Sequence, residues 1–104
     1  MQTLTAKDFT TLSLIGDLKE MCGENFENIS SQLKLSILAT LTQFQLLKQL
    51  EMPYFTWELM DDAIDSVPSV VWLGHREVKE RLAKCWQLED NAIAQLIQTL
   101  AESI

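Results

Sequence analysis

The sequence predicts an all-α protein, a compact bundle of about five helices in a single domain over residues 1–104. Apolar residues recur at steps of three and four along most of the chain, the spacing that places them on one face of a helix. No segment shows the alternation of apolar and polar residues that is typical of a half-buried strand. The chain has only three Gly and two Pro, and all of them except Gly16 fall between the periodic segments.

The first helix is predicted to run from Thr5 to Cys22. Thr5 and Asp8 have the spacing of a capping box, in which two side chains satisfy backbone groups at the start of a helix. Gly23 follows the last apolar residue of this segment, where a glycine commonly ends a helix in the left-handed conformation. We expect residues 24–30 to form a loop between the first two helices.

The second helix is predicted to be the long apolar central helix of the bundle, from about residue 31 to 51. Pro53 stops it from going much further, because proline cannot donate a backbone hydrogen bond. Its apolar residues cover most of the helical circumference: Leu33, Leu35, Ile37, Leu38, Leu41, Phe44, Leu46, Leu47 and Leu50. A helix that is apolar nearly all round is buried on more than one side. It is therefore either the central helix of the domain or part of a homodimer core.

Three further helices are predicted in the second half of the chain. Thr56 is the expected cap of a third helix over 57–66. A short helical turn is expected over 69–73, and a fourth helix over 75–87. The fifth helix is expected to run from about Asp90 to the C-terminus.

Charge and cysteine content limit the classes of function. The chain has 15 Asp and Glu against 8 Lys and Arg, a net charge of −7. Such a protein is repelled by nucleic-acid phosphates, which disfavours non-specific binding to them. No apolar run approaches the length of a membrane span, and residues 1–7 lack the features of a signal peptide. We therefore expect a cytoplasmic protein without membrane association, in which Cys22 and Cys85 are free thiols.

Motifs that would indicate catalysis are absent from the sequence. His75 is the only histidine, and no Ser or Cys is placed locally to form a recognisable nucleophile pair with it. The two cysteines and one histidine are scattered, whereas a zinc site needs about four ligands. No glycine-rich phosphate loop occurs. We expect a protein that is not an enzyme and uses no cofactor or metal.

The most unusual feature is a purely acidic face on the third helix. Glu58, Asp61, Asp62 and Asp65 are spaced by three and four residues, so they fall within an arc of roughly 100°. Repulsion between like charges one turn apart costs about 0.2–0.5 kcal/mol per pair. No Lys or Arg lies within the segment to offset this cost. Trp57, at the edge of the face, is a candidate anchor for a partner, because Trp is frequent at protein interfaces.

Three interpretations of the acidic face compete. It is a solvated face that aids solubility, a docking surface for a basic partner, or a carboxylate site for a divalent cation. The last lacks the glycine turn of a calcium loop and the histidines of a di-iron helix pair. Our leading hypothesis is a protein-binding module of the small acidic inhibitor, immunity, counter-defence or adaptor type. Its partner would be a macromolecule with a basic surface, such as a nucleic-acid-processing protein.

The segment 82–97 resembles the repressor-type helix-turn-helix motif. Ala83 stands at the small position of the first helix, and Ile93 and Leu96 would face the core. The segment departs from the motif at Gln87, where the usual turn residue is Gly. Its would-be recognition helix contains no Lys or Arg. The resemblance implies, as an alternative function, a DNA-binding regulator.

In that alternative, the regulator would use residues of about 75–98. Arg76, Lys79 and Lys84 would anchor phosphates, and Asn91 would contact a base. The same cations alternate with glutamates at favourable spacings, so an ordinary solvated helix face explains them equally well. A third alternative is a homo-oligomeric structural subunit built on the apolar second helix.

Overall fold

The computed structural model of the chain describes residues 6–104, and over this range the protein is all-helical, as predicted. Each predicted helix is present there, and no strand occurs in the same range. In chain order, the elements are α1 (Ala6–Cys22), α2 (Ser31–Gln49), α3 (Thr56–Asp65), a 3₁₀ helix (Ser69–Trp72), α4 (Arg76–Ala83), a second 3₁₀ helix (Lys84–Gln87) and α5 (Asp90–Ser103).

Local signals in the sequence set the ends of the first two helices. The predicted capping interaction of Thr5 with Asp8 lies outside the described residues. Gly23 ends α1 with a φ of +96°, a left-handed conformation that glycine adopts without strain. Its amide donates to the carbonyl oxygen of Lys19 at 2.8 Å. At the start of α2, the Ser30 hydroxyl accepts a hydrogen bond from the amide of Leu33 at 3.2 Å and so caps the helix.

Helix α2 is the longest helix of the described chain, but its apolar residues are not all buried. Its buried side contains Leu33, Ser36, Ile37, Thr40, Leu41 and Phe44. The two buried hydroxyls donate to carbonyl oxygens one turn earlier in the helix, which satisfies them without a partner from another element. Leu35, Leu46 and Leu50 are exposed. Part of the predicted all-round apolar surface therefore faces solvent in this single chain.

The fourth predicted helix changes its geometry near its end. The α-helical part stops at Ala83, and Lys84–Gln87 continues as a 3₁₀ helix. Cys85, within this tighter turn, is buried. The sequence predicts one continuous helix over 75–87, and the change of hydrogen-bonding pattern was not visible in its apolar spacing.

Packing brings the helices together in an order that differs from their order in the chain. Helix α2 packs against both α5 and α3, α3 packs against α4, and α4 packs against α1. The principal contacts therefore link α5, α2, α3, α4 and α1 in that order. Within residues 6–104, no helix is both long enough and apolar enough to cross a lipid bilayer.

Candidate functional site

The acidic face of α3 points away from the core. The opposite side of the helix is buried and consists of Leu59, Met60, Ala63 and Ile64. Asp61, Asp62 and Asp65 are exposed, and Glu58 is half-buried. None of these four carboxylates forms an ion pair within 4 Å with any residue of the described chain. The face is thus accessible, and no cation of the described chain compensates it at close range.

Glu58 has a structural role that the sequence analysis did not assign to it. The backbone amide of Phe55 donates to its Oε1 at 3.1 Å. Phe55 is the residue that precedes α3, so this bond satisfies a backbone donor at the helix start. The carboxylate also lies near the positive end of the helix dipole. Glu58 therefore stabilises α3, whereas the predicted cap, Thr56, is the first residue of the helix.

Two aromatic side chains form an exposed pair beside the acidic face. The rings of Phe55 and Trp57 are stacked, with centroids 6.3 Å apart and an interplanar angle of 9°. Phe55 is 70% exposed and Trp57 is 48% exposed, and the neighbouring Tyr54 is exposed as well. By contrast, Trp72 is buried. The sequence indicated Trp57 as an anchor but missed Phe55, although the run of aromatics at 54, 55 and 57 was a visible signal.

A cleft between α3 and α4 joins two groups of residues that the sequence analysis assigned to different functions. Asp61 and Asp65 line one wall, and Arg76, Lys79 and Glu80 line the other. The cleft has a volume of about 370 Å³. Asp62 does not line it. The acidic face of α3 is thus divided, with two aspartates opposite cations and Asp62 outside the cleft.

The remaining residues of the helix-turn-helix alternative do not line this cleft. Lys84 and Asn91 are exposed, on the second 3₁₀ helix and in the first turn of α5. The Nε of Arg76 donates to Oε1 of Glu80 at 3.1 Å. Helix α5 packs mainly on α2, whereas the two helices of a helix-turn-helix motif pack on each other.

The histidine of the chain is exposed, whereas both cysteines are buried. His75 is exposed directly before α4, and its side chain does not cap that helix. Cys22 and Cys85 are both free and buried. Burial raises the pKa of both thiols, that of Cys85 to about 12. Among the described residues, no three His, Cys, Asp or Glu side chains are grouped so as to hold a metal ion.

No protein-family model matches the chain, and no curated protein or solved structure is significantly similar to it.

Proposed function

We propose that the protein is a non-enzymatic binding module that docks a basic surface of another protein through the acidic face of α3. The observation that carries this proposal is the exposed Phe55–Trp57 stack at the start of the helix whose exposed face carries the carboxylates. An aromatic anchor next to a charged rim is the arrangement found in many protein interfaces.

The two parts of this surface would contribute differently to binding. Covering the aromatic stack removes apolar area from water and would supply much of the affinity. Asp61, Asp62 and Asp65 would speed association with a basic partner and set its orientation, as long-range charge attraction does. Glu58 adds charge to the surface, but its hydrogen bond to the amide of Phe55 makes it also part of the helix cap.

The proposed class is that of a small acidic inhibitor, immunity, counter-defence or adaptor protein. A nucleic-acid-processing protein is a suitable partner, because its own substrate-binding surface is basic. The proposal places the protein in the cytoplasm, where thiols remain reduced, and Cys22 and Cys85 are both free thiols.

The test compares charge-reversed variants of the full chain. Asp61→Lys/Asp62→Lys reverses two charges on the proposed surface. The matched control, Glu20→Lys/Glu102→Lys, reverses two exposed charges elsewhere and changes the net charge equally. Partners would be captured from extracts of the native host, identified by mass spectrometry, purified and titrated at low and high salt.

We expect the Asp61/Asp62 variant to bind a captured partner at least about tenfold more weakly than the control, which corresponds to about 1.4 kcal/mol. The difference should shrink at high salt, because salt screens exposed charges. Circular dichroism would verify that both variants keep the helical content of the wild type. Equal affinities of the two variants for every captured protein would refute the proposal.

The exposed leucines of α2 favour a second candidate function, that of a homo-oligomeric structural subunit. Leu35, Leu46 and Leu50 would gain burial in a second copy of the chain. Sedimentation at several protein concentrations tests this candidate, and a monomer at all of them removes it. The helix-turn-helix regulator remains a prediction of the sequence, and a gel shift that is lost on mutation of Arg76, Lys79 and Asn91 would be required for it.

A further inference from the structure

Helix α2 has one exposed stripe whose residue order is the same from either end. Apart from Ser31, the exposed residues of the helix are spaced by three, four, three, four and three positions: Gln32, Leu35, Ala39, Thr42, Leu46 and Gln49. By helix geometry they fall within an arc of roughly 100°. Each half runs from a glutamine through a leucine to a small residue at the centre. The two leucines are almost equally exposed, at 52% and 51%.

The polar groups on and beside the stripe allow it to be covered. Helix α2 contains no Asp or Glu. Its two lysines, Lys34 and Lys48, both bond to residues of α5. The hydroxyl of Thr42 donates to the carbonyl oxygen of Leu38 at 2.8 Å, so it needs no further partner when it is buried. The two glutamines lie at the ends of the stripe, where a protein interface is usually polar.

We propose that two copies of the chain pair through this stripe as an antiparallel dimer, with a two-fold axis at the level of the peptide bond between Thr40 and Leu41. Leu35 of one copy would then face Leu46 of the second copy. In the same register, the small residues of the two copies face each other at the centre, and the glutamines do so at both ends. The inference rests on the homo-oligomeric candidate, which it deepens, and it uses none of the carboxylates of α3.

The symmetry of the stripe selects a second copy as its occupant. A two-fold interface is formed by the same patch of both copies, so each contact occurs twice with its two residues exchanged. Along an antiparallel helix pair, this requires a patch that has the same order from either end, whereas a different partner imposes no such order. Charge favours the same contact. Two copies with a net charge of −7 repel each other, and a face without acidic residues brings them together at the lowest electrostatic cost.

The side chains of the stripe also suit a helix pair. Spacing that alternates between three and four averages about 3.5 residues, the repeat that keeps two helices in contact as a coiled coil. The small residues at the centre allow the helix axes to approach, and the leucines on either side fill the space between them. Beside the first half of the stripe, a groove of about 530 Å³ is lined by Leu35 and Ala39 on α2 and by Val67 and Val71 opposite. Apolar surface beyond the helix itself therefore borders the proposed contact.

The first experiment measures the oligomeric state of the full chain by sedimentation equilibrium, up to millimolar concentration. Leu46→Glu places a charge in the proposed interface. The matched control, Leu12→Glu, places the same charge at an exposed leucine of α1. We expect the wild type and the control to dimerise with similar Kd, and Leu46→Glu to raise the Kd at least about tenfold, because a charge without a partner is costly to bury. Circular dichroism would verify that all three proteins have the same helical content.

The second experiment tests the register by disulfide cross-linking of Gln32→Cys and Gln49→Cys, one of which carries a tag that identifies it by mass. In the proposed dimer these two positions face each other. Two copies of the same variant would have their new thiols about 26 Å apart along the helix axes. Mild oxidation should act on the introduced thiols, because Cys22 and Cys85 are buried and burial raises the pKa of both. We therefore expect a cross-link between the two variants in a mixture and none within either variant alone.

The outcomes separate this inference from the other proposals. A monomer at all concentrations overturns both the inference and the homo-oligomeric candidate. A dimer that Leu46→Glu does not weaken, or one that cross-links within each variant alone, overturns the inference and leaves a homo-oligomer with a different interface. Binding through the acidic face of α3 is tested independently, by the capture experiment on Asp61 and Asp62.

Discussion

The ring of Phe55 lies nearly parallel to the ring of Trp57, at an interplanar angle of 9° and a centroid separation of 6.3 Å. Both side chains are well exposed to solvent. At this separation the two rings overlap only in part, and much of both side chains remains in water, where a large apolar surface is unfavourable. The pair is thus an exposed apolar surface at the start of the helix that bears the acidic face.

The environment of Trp57 leads to a prediction about fluorescence quenching. Trp57 is more exposed than Trp86, and Trp72 is buried. We expect Trp57→Phe to remove the larger share of the emission that a soluble quencher reaches. Cs⁺ should quench this share better than I⁻, because Trp57 lies at the edge of the acidic face of α3, whose carboxylates attract cations.

The control for this measurement is Trp72→Phe, which should leave the amount of quencher-accessible emission unchanged and remove only emission that the quencher does not reach. High salt should bring the efficiencies of the two ions closer together, since the effect is electrostatic. A preference for I⁻, or an accessible share that Trp57→Phe does not alter, would contradict the position of Trp57 in the structure.

A second prediction separates the structural role of Glu58 from its charge. Glu58→Ala removes the acceptor for the amide of Phe55, and we expect it to lower the free energy of unfolding by about 0.5–2 kcal/mol, as the loss of a helix cap does. Asp62→Ala removes the same charge from an exposed position, and it should change stability by no more than about 0.5 kcal/mol. Urea denaturation of both variants provides the comparison. Equal losses in the two would show that the cap contributes nothing.

A third prediction concerns the core face of α2. Phe44 is fully buried, whereas Leu46 on the same helix is exposed. Phe44→Ala should therefore lower the free energy of unfolding by about 3–5 kcal/mol, through lost burial and the cavity that remains. Leu46→Ala, the matched control, should change it by about 0.5 kcal/mol or less. Chemical denaturation measures the free energy of unfolding of both variants, provided that the m-value stays that of the wild type. A small loss of stability in Phe44→Ala would be inconsistent with the burial of Phe44.

A fourth prediction follows from the buried thiol of Cys85. Burial raises the pKa of this thiol from an ordinary value of 9.0 to about 12. Above about pH 9, the unfolded chain loses the thiol proton while the native protein keeps it. Its contribution to stability is therefore fully present below about pH 9 and is lost as the pH rises toward 12.

Between about pH 9 and 12, the free energy of unfolding should fall by on the order of 1 kcal/mol per pH unit. Urea titrations at a series of alkaline pH values measure it, with Cys85→Ala as the comparison. The variant should lose less stability with rising pH than the wild type, although Cys22, whose pKa is also raised by burial, keeps part of the slope. Identical slopes in the two proteins would contradict the prediction.

The elements of the fold could be predicted from the sequence because their signals are local. Apolar spacing shows which face of a helix is buried, and Gly23 and Ser30 mark helix ends through the conformations and hydrogen bonds of single residues. The acidic face of α3 was predictable for the same reason, since three- and four-residue spacing alone places those carboxylates together. The change from α to 3₁₀ geometry after Ala83 left no trace in that spacing.

The sequence by itself determined that residues 6–104 are all-helical, that α1 ends at Gly23 and α2 begins after Ser30, and that one helix bears a purely acidic face. Only the tertiary structure decided that α3 packs beside α4, so that Asp61 and Asp65 line a cleft with Arg76 and Lys79. It also decided which leucines of α2 remain exposed. The reason is that periodicity specifies the side of a helix that must be covered but not the helix that covers it. Many pairings bury similar apolar area, and the choice among them depends on the simultaneous packing of all the helices and on the lengths of their connections.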